Sequence, residues 1–120
     1  MTRNNAKILI ADDNIDIREM LKDVLAEKGY LVETVENGYE LLGYLKKKSP
    51  PNVIILDLMM PEKNGIEVLS AVKELSPDTR IIIYTGFQRC KDPNYANIVD
   101  RFLIKSEKIE ILLQAIEELT

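Results

Sequence analysis

Five side chains in this 120-residue chain have the types and the setting for chemistry: Asp12, Asp13, Asp57, Thr85 and Lys105. Each closes, or directly follows, a short apolar run: KILIA before Asp12-Asp13, VIIL before Asp57, RIIIY before Thr85 and FLI before Lys105. A carboxylate at the end of a buried run is costly unless something offsets its charge. Taken singly, the plain readings are helix caps for the aspartates and the threonine, and a lysine reaching solvent. Taken together, three carboxylates brought to one place would repel, and a cation would have to join them. Lys105 supplies one charge and leaves −2, which one Mg²⁺ would neutralise. Oxygen-only ligands suit Mg²⁺ better than zinc or copper. A carboxylate flanked by Mg²⁺, an ammonium and a hydroxyl is suited to receiving a phosphoryl group, with Asp57 as nucleophile.

That chemistry requires elements that bring the five together, and the sequence alternates in the necessary way. Lys7–Ala11, Leu31–Val35, Val53–Leu58, Arg80–Tyr84 and Arg101–Ile104 read as strands. Apolar residues at helical spacing follow: Ile17, Met20, Leu21, Val24 and Leu25; Leu41, Leu42 and Leu45; Ile66, Leu69, Val72 and Leu75; Ile109, Leu112, Leu113 and Ile116. Gly29, Pro50-Pro51 and Pro77 supply stops. Repeated strand–helix units predict an α/β fold, a doubly wound, flavodoxin-like parallel sheet with helices on both faces. The first, third and fourth strands are continuously apolar, as central strands are. The second, with Glu33 and Thr34, and the short fifth belong at the edges, which gives the order 2-1-3-4-5. In that order the C-terminal strand ends share one rim, at the switch point where ligands bind.

Composition narrows the function. Hydrophobic residues make up 46%, enough for one core in one domain spanning 1–120. The net charge of −4 argues against direct nucleic-acid binding. The basic run Lys46-Lys47-Lys48 reads as a solvated helix end. No stretch has membrane length and no signal peptide is legible, so no membrane association is expected. With one cysteine, Cys90, no internal disulfide forms, and a cytoplasmic location is expected. The chain has no histidine, which removes histidine-based acid–base, metal and phosphoryl chemistry.

The pieces ADD (11–13), DLMMPEKNG (57–65), TG (85–86) and FLIK (102–105) together resemble the receiver domain of two-component response regulators, over essentially the whole chain. The resemblance implies a phosphoacceptor signalling role rather than an enzyme. A sensor histidine kinase or a histidine phosphotransfer protein would donate phosphate to Asp57. Mg²⁺, with Mn²⁺ as the alternative, would bind Asp13, Asp57 and the Met59 backbone carbonyl, with Asp12 nearby or acting through water. Thr85 and Lys105 would contact the phosphoryl group, and Thr85 with Phe102 would form the switch. That switch would alter the face built from the segment before the fifth strand, the fifth strand and the last helix. A downstream protein or a tethered output domain would read it, the chain being either a stand-alone receiver or one cut from a longer regulator. Met59 and Phe87 occupy the positions that govern how water reaches the phosphoryl group. Both are bulky and apolar, so a long-lived phosphorylated state is expected.

The chain departs from the family pattern twice. Ser106 follows the lysine where the family usually has proline; a cis bond is therefore not expected, and Ser106 is read as the N-cap of the last helix. The segment from Phe87 to Val99 is shorter than usual for the family and reads poorly as a helix; Phe87 to Lys91 lack an apolar stripe, so the fourth helix is expected to be short or irregular, from about Pro93 to Val99 with Asp92 as its N-cap. These departures motivate the alternative of a degenerate receiver acting as a phosphate-independent interaction module. An aspartate-nucleophile phosphatase is disfavoured because the position two residues after Asp57 holds Met59, not a second aspartate.

Overall fold

A computed structural model describes residues 6–58, 65–86 and 98–120, with side chains from residue 67 in the second of these stretches. Its strands are β1 (Lys7–Ala11), β2 (Leu31–Val35), β3 (Val53–Leu56), β4 (Arg80–Thr85) and β5 (Arg101–Ile104). Its helices, among the described residues, are α1 (Ile15–Glu27), α2 (Gly38–Lys47), α3 (Gly65–Leu75) and α4 (Ile109–Leu119). All strands pair in parallel in the order β2-β1-β3-β4-β5, as the strand characters predict. β1, β3 and β4 are almost wholly buried, whereas β2 and β5 are only partly covered.

Strand alternation divides the core into two layers. Leu9, Ile54, Ile81 and Ile83 pack with Leu41 and Leu45 of α2 and Val68, Leu69 and Val72 of α3. Ile8, Ile10, Val53, Ile55 and Ile82 pack with Leu21 and Leu25 of α1 and Leu112, Ala115 and Ile116 of α4. Helices therefore cover both faces, as a parallel sheet requires.

Local signals set the helix ends. Asn14 caps α1, its side chain accepting from Ile17 N. Gly29, with φ of 97°, ends that helix: its N–H reaches Ala26 O at 3.0 Å and Tyr30 N–H reaches Leu25 O at 3.2 Å. Asn37 caps α2 by accepting from Glu40 N at 2.8 Å, and Lys46 and Lys47 fall in its last turn, as read from sequence. No helix among the described residues is long and apolar enough to cross a membrane.

Three expectations need correction or fall outside the described residues. β3 stops at Leu56, so Asp57 and Leu58 follow the strand. Ser106 does not cap the last helix. The chain turns first, with Glu107 N–H donating to Ile104 O at 3.0 Å and the Glu107 carboxylate accepting from Ile104 N at 3.3 Å. That turn delays the helix until Ile109, with Lys108 at the cap position and no side-chain cap bond. The fourth helix expected from Pro93 lies outside the described residues up to residue 97; Ile98 stands in a turn and Val99 in no regular element.

Candidate functional site

The rim of the sheet is built by register. Ala11 pairs with Leu56, and Asp57 N–H donates to Ala11 O at 3.0 Å, so Asp12 and Asp57 leave adjacent strands side by side. Thr85 pairs with Ile104, and Lys105 N–H donates to Thr85 O at 2.7 Å, which brings the lysine alongside. Alternation then sorts the side chains. Counting on from Ile10, Ile55, Ile82 and Leu103, which face α1 and α4, puts Asp12, Asp57, Tyr84 and Lys105 on that side. Thr85 follows Ile83 onto the α2 and α3 side, where Phe102 packs half-buried against the core.

At the rim, Lys105 Nζ lies 2.7 Å from Asp12 Oδ2 and 2.9 Å from Asp57 Oδ2. The second oxygen of Asp12 accepts from Asn14 N–H at 2.9 Å, which ties the carboxylate to the start of α1. Asp12 and Asp57 are only 3% and 5% exposed, while Asp13 is open to solvent. One carboxylate oxygen from each of Asp12, Asp13 and Asp57 lies within 4.8 Å of the others. This oxygen-only set, two members buried and one open, suits a hard, partly hydrated divalent cation. The sequence-predicted aspartates and Lys105 thus meet as expected.

The electrostatics are asymmetric. Burial pushes the Asp12 carboxyl above its ordinary value; the hydrogen bond from Lys105 offsets only part of that. Burial presses the Lys105 ammonium the other way, but Asp12 and Asp57 outweigh it and hold the proton more tightly than usual. The ammonium is therefore firmly charged between two carboxylates, one of which carries its charge at a cost.

Thr85 is fully buried, and its Oγ1 has no hydrogen-bond partner among the described residues. A buried hydroxyl is normally paired. This one stands at the end of β4, beside the strand that carries Phe102. The structure thus brings Thr85 to the same rim and Phe102 to the layer on its side. Met59 and Phe87 lie outside the described residues.

Two contributors were not legible as site residues. Arg18, one turn into α1, donates to the Asp12 carbonyl at 2.8 Å and stands 3.7 Å from Glu36. Tyr84 reads as one more apolar strand residue. Its phenol, raised above the ordinary value chiefly by burial, also feels the opposing charges of Lys105 and Asp12. The alternation around Asp57 and Lys105 was the available signal for Tyr84; nothing in the spacing marks Arg18.

The chain matches the family model described as response regulator receiver domain over residues 8–117. It is 32% identical to the chemotaxis protein CheY of Bacillus subtilis, across 93% of this chain and 95% of that protein. It is 36% identical to the sporulation initiation phosphotransferase F of the same organism, across 69% of this chain and 66% of that protein. Among solved structures it is similar to the response regulator TrrA of Thermotoga maritima in complex with Mg²⁺–BeF. The TM-score is 0.88 and the identity 31%, covering 97% of this chain and 100% of that one. TrrA in complex with the histidine kinase ThkA is similar as well, with a TM-score of 0.84 at 32% identity over 96% of this chain and 98% of that one. Fold, rim and sequence agree, and the chain belongs to the response regulator receiver domain family.

Proposed function

We propose that this receiver takes a phosphoryl group onto Asp57 from a sensor histidine kinase or a histidine phosphotransfer protein. The observation that carries the reading is the meeting of Asp12, Asp13 and Asp57 with Lys105 inserted between two of them. Asp12, Asp13 and Asp57 would hold the metal, Mg²⁺ or Mn²⁺, with Met59 contributing its backbone carbonyl. The metal supplies positive charge to the transferring oxygens.

The chain's own residues do the rest. A carboxylate oxygen of Asp57 attacks phosphorus as the donor's P–N bond breaks, and the electron pair leaves on the donor imidazole. Lys105, already 2.9 Å from Asp57, needs only a small shift to meet a phosphoryl oxygen. Thr85 offers a buried hydroxyl with no partner among the described residues, ready to donate to another. Movement of Thr85 toward the phosphoryl group opens space for Phe102, which changes the face made by β5, α4 and the segment before β5. A partner protein or a tethered output domain reads that face. Residues 1–120 would act as one receiver unit in the cytoplasm.

Met59 and Phe87, apolar at the positions that govern water, would prolong the phosphorylated state. Replacing Met59 with Asn and Phe87 with Glu should speed decay by about 10², the range for positioning a reactive water. Equal decay rates in parent and double variant would remove these side chains from the explanation.

The deciding experiment is intact mass after incubation with acetyl phosphate and Mg²⁺. One phosphoryl group should add, hydroxylamine should remove it, and Asp57→Asn should abolish it. An unchanged yield from Asp57→Asn protein refutes the assignment.

A further inference from the structure

A groove of about 460 Å³ runs along the exposed side of α2, with Val35 at the end of β2 at its base and Tyr39, Glu40, Gly43, Tyr44, Lys47 and Lys48 along its length. Gly43 sits in mid-helix, where glycine weakens a helix relative to alanine. A Cβ built there would meet nothing within 4 Å, so packing inside the chain does not require a glycine. Something approaching from outside would. Tyr39, one turn earlier, is 59% exposed.

The charges identify the visitor. Glu36 and Glu40 lie on the N-terminal side of Gly43, Lys46, Lys47 and Lys48 on the C-terminal side, all exposed. A face acidic at one end and basic at the other is complementary to itself when reversed. At about 1.5 Å rise per residue, Glu40 lies about 4.5 Å before Gly43 and Lys47 about 6 Å after it. A twofold axis near Gly43 therefore sets Glu40 of one copy almost level with Lys47 of the other, on the same side of the seam. It likewise sets the Tyr39 ring beside Lys46, a cation–π arrangement. Glycine at the crossing lets the two backbones approach closely.

We infer that the outer face of α2 is a self-complementary docking surface on which two copies of this chain pair antiparallel about Gly43. The inference is independent of phosphorylation at Asp57. One short helix from each copy buries less than a standard interface, so the association is weak, with a dissociation constant on the order of 0.1 mM.

The test is sedimentation velocity on the full chain from about 10 μM to about 1 mM at low and high salt. The parent should show a concentration-dependent dimer that salt weakens. Gly43→Arg, which has room in the monomer, and Lys47→Glu should each weaken association about tenfold or more, with helicity and melting retained. In a Cys90→Ser background, Gly43→Cys should form an intermolecular disulfide far faster than an exposed cysteine at Lys28→Cys, because the axis brings the two residues together. A chain monomeric to about 1 mM leaves the groove to another protein's segment and overturns the proposal. So does a dimer indifferent to Gly43→Arg, or equal crosslinking at the two cysteines.

Discussion

Lys105 Nζ stands closer to Asp12, at 2.7 Å, than to Asp57, at 2.9 Å, yet the Asp12 carboxyl remains raised above its ordinary value near 3.8. Burial is the larger effect, and the ammonium does not fully offset it. The folded chain therefore binds the Asp12 proton more tightly than the unfolded chain does. Stability falls as pH rises above 3.8 through the raised value, and the deficit persists beyond it. Asp12→Asn removes that ionisation while keeping an acceptor for Asn14 N–H. In metal-free protein the variant should match the parent below pH 3.8 and be more stable at neutral pH. Urea unfolding at several pH values with a chelator present measures the difference. A variant less stable than the parent at neutral pH would mean that the ion pair outweighs the burial.

The same lysine should hinder metal binding. Its ammonium sits between two of the three carboxylates that would hold Mg²⁺. Charges of +2 and +1 about 5 Å apart repel by about 1.7 kcal/mol even at the dielectric constant of water. Lys105→Met should therefore bind Mg²⁺ about tenfold more tightly while losing phosphorylation by acetyl phosphate. Calorimetric titration reads the first effect and intact mass the second. Weaker Mg²⁺ binding in the variant would show that Lys105 chiefly holds the carboxylates in place.

Thr85, whose buried hydroxyl has no partner among the described residues, gives a third expectation. A buried hydroxyl without a partner lowers stability by about 1 kcal/mol or more relative to a paired one. Thr85→Val removes the hydroxyl and keeps the branched shape β4 packs around. Unphosphorylated Thr85→Val protein should be more stable than the parent by about 1 kcal/mol in urea unfolding. It should also fail to shift Phe102 when phosphorylated, as read by the ring resonances of that residue. Destabilisation by the valine would point to a hydrogen bond the hydroxyl makes in solution.

The sequence carried most of this site because the chemistry lies at strand ends, and strand ends are where apolar runs stop. KILIA, VIIL and RIIIY mark β1, β3 and β4 within a residue or two, so Asp12, Asp57 and Thr85 fall on one rim once the order 2-1-3-4-5 is accepted. The edges were equally legible, because Glu33 and Thr34 cannot belong to a strand buried on both faces. What stayed hidden depends on how neighbouring elements fold against one another, or on local competition between turns. Arg18 reaches the Asp12 carbonyl only because α1 turns back over β1. Ser106 loses the cap position to the Ile104–Glu107 turn, whose bond from Ile104 N–H to the Glu107 carboxylate no propensity reveals. The charge asymmetry of Asp12 and Lys105 required burial, which the sequence gives only in outline.

The final prediction concerns alkaline pH, where three raised groups act in one direction. Tyr44 is raised by burial and further by Glu33, whose carboxylate accepts from its hydroxyl; Tyr84 is raised mainly by burial; Lys105 is raised by its two carboxylate partners against the pull of burial. Each holds its proton more tightly folded than unfolded. Above pH 10.0 for the tyrosines and 10.5 for the lysine, the unfolded chain loses protons that the folded chain keeps, so stability falls with rising pH. The parent should therefore show stability that declines steeply above about pH 10. Tyr44→Phe and Tyr84→Phe should each flatten the decline, and neither should alter the curve near neutrality by more than their lost contacts. Tyr44→Phe and Tyr84→Phe should each remove absorbance from the part of the native tyrosinate titration that lies above the ordinary tyrosine value. Absorbance lost at the ordinary tyrosine value instead, with unfolding held off, would show that these two phenols are open to solvent and that the carboxylate of Glu33 does not restrain Tyr44.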